Sequence, residues 1–116
     1  MNSENLTDNE SINLDVTYEL EGTYFVWDYN KNQLNIQKHN VSFEEAATVF
    51  VDMDTEYLED DKHSNIEERF IAIGFSANEG MLTVCHCFRD KDSVIRIFSA
   101  RRATKPERKK FESMKM

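Results

Sequence analysis

Arginine is the residue type whose placement in this chain could do chemistry. Arg69 opens one run of β-forming residues, Arg96 lies within another, and Arg101-Arg102 leave that second run just as Thr104 and Pro106 open a helix. Lys105, Arg108, Lys109 and Lys110 follow on the helix, and Glu107, six residues after Arg101, falls in its first turn. A guanidinium is a planar fork of donors matched to phosphate oxygens. The free amides of a helix start add to the same field. Arginines at strand ends beside such a start could bind a phosphate or stabilise a phosphoryl transition state. The competing reading is plain: Lys and Arg on a terminal helix form a solvated face, and Arg69 simply pairs with an acid of the loop before it.

Other chemistries find less support. Cys85-His86-Cys87 on a strand puts two thiols on one face and the imidazole on the other, so the three cannot chelate one ion. His39 and His63 stand at no ligand spacing, and no metal site is expected. No GxSxG elbow is present, and three glycines, Gly22, Gly74 and Gly80, cannot make a phosphate loop. No cofactor is implied.

The elements must position these groups within 116 residues, enough for one domain. With 40% hydrophobic and 11% aromatic residues a real core is within reach. No apolar run approaches the ~20 residues of a membrane span. The N-terminus lacks the basic and apolar regions of a secretory signal. The two cysteines are too close to close a useful loop. These features imply a soluble, cytoplasmic protein. Net charge is −8, but it is unevenly spread: residues 1–61 carry −13 and residues 89–116 carry +6. A basic end on an acidic remainder hints at polyanion contact, or at neutralisation within the fold.

Residues 1–22 read as an acidic extension, with 1–12 disordered; Leu14, Val16, Tyr18 and Leu20 alternate, which leaves a strand over 13–21 open. The domain is expected over 23–116. Tyr24–Trp27 reads as a short strand. NKNQLNIQKH reads as a polar helix with Lys31, Asn35 and Lys38 on one face and His39 one turn beyond Asn35, and Asn40 supplies a left-handed stop. Ser42 to Glu45 is a capping box, and Phe43, Ala46, Ala47 and Phe50 form the core stripe of a second helix. A short strand is possible at Thr55–Leu58. Arg69–Ser76, Met81–Phe88 and Val94–Ala100 are strands joined by turns at Asn78-Glu79-Gly80 and Asp90-Lys91-Asp92. Thr104 to Glu107 caps the last helix. The expected architecture is α+β: two N-terminal helices packed on an antiparallel sheet of about four strands, with a C-terminal helix.

Read together, FVWDYNKNQLNIQKHNVSFEEAATVF, HSNIEERFIAIGFS and VIRIFSARRATKPERKKFE resemble the BrnT family, toxins of type II toxin–antitoxin systems with a RelE-like ribonuclease fold. The motifs are the Phe25/Trp27-Asp28 strand, Lys31, Lys38-His39, Val41 to Ala46, Glu68-Arg69 before Ile73-Gly74, and Ser99-Ala100-Arg101 followed by Glu107-Arg108. The resemblance covers residues 24–113. Asn40 stands where the family usually has Gly, and the segment before Thr23 is outside the pattern.

The resemblance implies metal-independent RNA cleavage that slows translation. It further implies neutralisation by a BrnA-like ribbon-helix-helix antitoxin whose complex with the toxin represses their operon, so operator DNA is met only through the antitoxin. On that basis Arg69 and Arg101 are candidates for phosphate stabilisation. Glu107 is a candidate base or arginine orienter, and His39 a candidate for proton transfer. Lys31, Lys38, Arg96, Arg102 and Arg108 are candidates for RNA contact. Net negative charge opposes RNA affinity, although without residues 1–22 the imbalance is only −2. A non-catalytic module that binds its antitoxin is the alternative function, and an unrelated adaptor with a basic helix is a third.

Overall fold

In the computed structural model, which describes residues 13–63 and 67–115, the alternation before Thr23 becomes strand β1 (Asp15–Leu20). Glu21 and Gly22, both at positive φ, turn it back into β2 (Thr23–Asp28) as a two-residue hairpin. Helix α1 (Tyr29–His39) starts where the Asp28 carboxylate accepts the Lys31 amide at 3.0 Å. It stops at Asn40, at φ 58° and ψ 36°. Helix α2 (Phe43–Ala47) runs into a 3-10 turn at Thr48–Val51. Then come β3 (Glu56–Glu59), a 3-10 turn at Asp61–His63, β4 (Phe70–Phe75), β5 (Met81–Arg89), β6 (Val94–Arg102) and α3 (Lys105–Met114).

The strands form one sheet in the order β1-β2-β6-β5-β4-β3. Every neighbouring pair is antiparallel except β2 with β6, which run parallel. This corrects the expected architecture. Among the described residues the sheet has six strands and is mixed, and α1 and α2 follow two strands rather than leading the fold. The parallel pairing depends on a contact between distant segments, which local alternation does not encode. Residues 1–12, expected to be a tail, lie outside the described residues. No helix among the described residues is long and apolar enough to cross a membrane.

One face of the sheet is buried under α1 and α2. Phe25, Trp27, Leu82, Val84, Ile95, Ile97 and Ala100 pack there against Val41, Phe43, Ala46, Ala47 and Val49. The side of α1 turned to this core is held by amides rather than by an apolar stripe. Asn35 Nδ2 donates to Val41 O at 2.9 Å and Ala100 O at 2.7 Å, and Asn32 Oδ1 accepts the Phe43 amide at 2.8 Å. The Ser42 hydroxyl caps α2 by accepting the Glu45 amide at 3.0 Å. The Glu45 carboxylate does not close the capping box, because it accepts the backbone amides of Asn78 and Glu79 and so clamps the β4–β5 turn.

The opposite face is only partly covered. Helix α3 lays Phe111 over Ile73 and Met81, with Leu58 and Ile71 at the margin. Beyond this patch the register of β5 against β6 slips. Cys85 faces Ser99 while His86 faces Ile97, so Phe98 is the extra residue of a bulge. The bulge keeps Ile97 and Ala100 in the core and turns Phe98, Ser99 and Arg101 to the open face.

Candidate functional site

An open cleft of about 740 Å³ lies on that face. Lys31 reaches it from the first turn of α1, Glu59 to Lys62 from the end of β3, and Arg69 and Ile71 from the start of β4. Thr83 and Cys85 come from β5, Phe98, Ser99 and Arg101 from β6, and Glu107 from α3.

Arg101 and Glu107 form a fork. Nη1 donates to Oε1 and Nη2 to Oε2, each at 2.8 Å. Thr83 Oγ1 donates to the same Oε1 at 2.8 Å, and the Thr104 amide at 2.9 Å. This last bond, with the Thr104 hydroxyl accepting the Glu107 amide, is the complete capping box of α3. The cap therefore fixes the carboxylate, and the carboxylate fixes the guanidinium. The Arg101 guanidinium, helped by Thr104 and Thr83, holds the Glu107 carboxyl down at about 2, and Glu107 in turn raises Arg101. Glu107 is thus ionised and its carboxylate accepts four hydrogen bonds, which suits an orienter better than a base.

Arg69 is placed differently. Its guanidinium carbon sits 3.8 Å above the centre of the Phe98 ring, and Lys31 Nζ lies 5.8 Å from the same ring. A ring face attracts cations, so the bulged Phe98 gathers both at the cleft wall. Arg69 Nη2 also approaches Glu67 Oε2 at 3.8 Å. Burial, reinforced by Asp60, pushes the Cys85 thiol up to about 11. Cys85 stays a thiol, its Sγ donating to Asp60 Oδ2 at 3.5 Å, and is no nucleophile at neutral pH. His86 is fully buried among Phe50, Tyr57, Phe70 and Phe88, and burial lowers it to about 4. Among the described residues no group of three His, Cys, Asp or Glu side chains could hold a metal ion.

Arg69, Arg101, Glu107 and Lys31 therefore share one cleft. Lys38 and His39 line a second groove beside it, which shares Lys31, Phe98 and Ser99 with the cleft. Arg96, Arg102 and Arg108 line neither cavity. Arg96 pairs with Asp15 at 3.0 Å, Arg102 pairs with Glu79 and donates to the His39 carbonyl at 3.2 Å, and Arg108 is exposed on α3. The sequence reading missed Phe98, Thr83 and Asp60 as parts of the site. Phe98 looks like any β-former until the bulge turns it outward, and Thr83 becomes visible only once β5 lies beside α3.

The family model of the ribonuclease toxin BrnT, of type II toxin–antitoxin systems, matches residues 27–107. That stretch includes Lys31, Arg69, Phe98 and the whole Arg101–Glu107 fork. No curated protein matches the chain significantly.

Proposed function

The chain belongs to the BrnT family of type II ribonuclease toxins, and from that premise we propose that it cuts RNA in the Arg69–Arg101 cleft without a bound metal. In this reaction the ribose 2′-oxygen attacks the adjacent phosphorus while its proton passes to a base. The bond from phosphorus to the 5′-oxygen then breaks, and that oxygen takes up a proton. The products are a 2′,3′-cyclic phosphate and a free 5′-hydroxyl. Charge builds on the non-bridging oxygens in the transition state, and preorganised guanidiniums oppose it at no further reorganisation cost.

Arg101, fixed by Glu107, and Arg69, seated on Phe98, are the groups for that charge. His39, in the adjoining groove, is the group for proton transfer. Lys31 and Lys38 hold neighbouring phosphates. Arg96, Arg102 and Arg108 extend the contact, since exposed ion pairs such as Arg96–Asp15 and Arg102–Glu79 contribute little and a phosphate can displace them. As a type II toxin the chain is paired with an antitoxin protein. We take that partner to be a BrnA-like ribbon-helix-helix protein that carries the complex to operator DNA, with translation in the cytoplasm as the target and a RelE-like fold as the wider kinship.

The observation that carries this reading is the fork: a capping box, a β5 threonine and a strand-end arginine converge on one ionised carboxylate at the rim of an open cleft. Inducible expression in a bacterial host, with growth and bulk RNA followed, tests it. Wild-type protein is expected to arrest growth and degrade RNA, Arg101→Ala to do neither, and a co-expressed antitoxin to relieve the arrest. Normal growth with intact RNA, from soluble folded protein, would favour the alternative of a non-catalytic antitoxin-binding module. The four hydrogen bonds on the Glu107 carboxylate, which tie it to holding Arg101 rather than to taking a proton, favour that alternative.

A further inference from the structure

We infer that the groove beside the cleft is a subsite for one nucleotide of single-stranded RNA flanking the cut phosphate, with Leu34 as the seat for its base. The inference rests on the ribonuclease reading and names where the substrate continues. The groove encloses about 610 Å³ and is lined by Lys31, Leu34, Gln37, Lys38, His39 and Phe98, together with Asn35 and Ser99. None of these is acidic, in a chain whose net charge is −8. Charge complementarity therefore selects a polyanion.

Leu34 is 62% exposed. Lys31 stands three residues before it and Lys38 four residues after, so all three share one face of α1, cation–apolar–cation. That pattern fits a base resting between two phosphates. The bland explanation is that Lys38 and His39 merely offset the negative end of the helix dipole. It fails for Lys31, which sits in the first turn, where the dipole disfavours a cation and where the one acid, the N-cap Asp28, is engaged with the Lys31 backbone amide. The groove adjoins the cleft, with Lys31, Phe98 and Ser99 lining both. Behind it α1 is held by the bonds of Asn35 to Val41 and Ala100, so the platform does not need to form on binding.

Binding of a short fluorescent single-stranded RNA of mixed sequence, at low salt, tests the subsite on the full-length protein. Leu34→Glu and Lys38→Glu change exposed positions, and Lys109→Glu on α3, outside both cavities, controls for net charge. Leu34→Glu and Lys38→Glu are each expected to weaken binding about tenfold or more, with Lys109→Glu close to wild type. Cleavage of a longer RNA is followed in parallel, with the cut positions sequenced. Wild-type affinity in Leu34→Glu, or equal losses in Lys38→Glu and Lys109→Glu, would overturn the subsite. If cleavage persists in that case, the ribonuclease reading survives it. Groove-dependent binding without cleavage would keep the subsite and remove the nuclease. No RNA binding by the wild type, or loss of antitoxin binding alone in the groove variants, would overturn the subsite outright.

Discussion

At Glu107 three donors converge on one carboxylate, and the consequence can be read in two ways. With the carboxyl held at about 2, against an ordinary 4.5, its stabilising effect is complete above about pH 4.5 and is lost as pH falls toward 2. Allowing for the exposed side of Arg101, that effect is of order 2 kcal/mol. Glu107→Gln keeps the shape and loses the charge. It is expected to lower kcat about tenfold or more, through a less firmly held Arg101, while KM changes little; an unchanged kcat would remove the orienting role. Phe98 acts on Arg69 by the same logic. Phe98→Leu is expected to lower kcat with the fold intact, and Phe98→Tyr to restore it, because only an aromatic face holds the guanidinium. Equal activity in the two variants would contradict this. Of these residues Arg69 and Arg101 stand out in the sequence as arginines at strand ends and Glu107 by its place in a capping box, while their roles come from the family resemblance. Phe98 does not stand out, because nothing in an apolar alternation marks the position where a strand bulges.

Elements were legible where one short segment decides them. The left-handed stop at Asn40, the cap at Thr104 and the turns at Gly80 and Asp90 to Asp92 all fall where their residue types place them. Elements were illegible where a distant segment decides them. The parallel β2–β6 pairing needs both strands present, and the buried side of α1 is polar because Asn32 and Asn35 bond to loops and to β6 rather than to solvent. Gly74 of β4 is a case where one residue serves a long-range approach. A Cβ there would lie 2.1 Å from Thr55 Oγ1, which itself donates to the Val49 carbonyl at 2.6 Å. Gly74→Ala is therefore expected to destabilise the protein by about 1–3 kcal/mol by forcing the segment before β3 away from the sheet. Denaturant melts check it, and a wild-type midpoint would show that Thr55 moves freely.

For the molecule as a whole, the distribution of charge matters more than its sum. An acidic chain can still offer RNA a local basic surface: the groove beside α1 presents Lys31 and Lys38 with no acid in its lining, whereas the cleft sets Lys31, Lys62, Arg69 and Arg101 against Glu59, Asp60, Asp61 and Glu107. The core adds a pH dependence of its own. His86 is held near 4 by burial, against 6.5 for an ordinary imidazole. The unfolded chain therefore binds a proton that the folded chain refuses between about pH 6.5 and pH 4. As pH falls across that window stability is expected to drop by up to about 3 kcal/mol, and from about pH 4.5 downward the loss from Glu107 adds to it. His86→Phe should flatten the upper window; an unchanged slope would place the titration elsewhere.

Cleavage of a defined RNA by the purified protein in the presence of a chelator, with the product ends identified, tests the central claim most directly. The expected result is 2′,3′-cyclic phosphate and 5′-hydroxyl ends, at rates that fall about 10²–10³-fold in folded Arg69→Ala and Arg101→Ala proteins. Cleavage that stops with the chelator, or that proceeds at the wild-type rate in both variants, would contradict it.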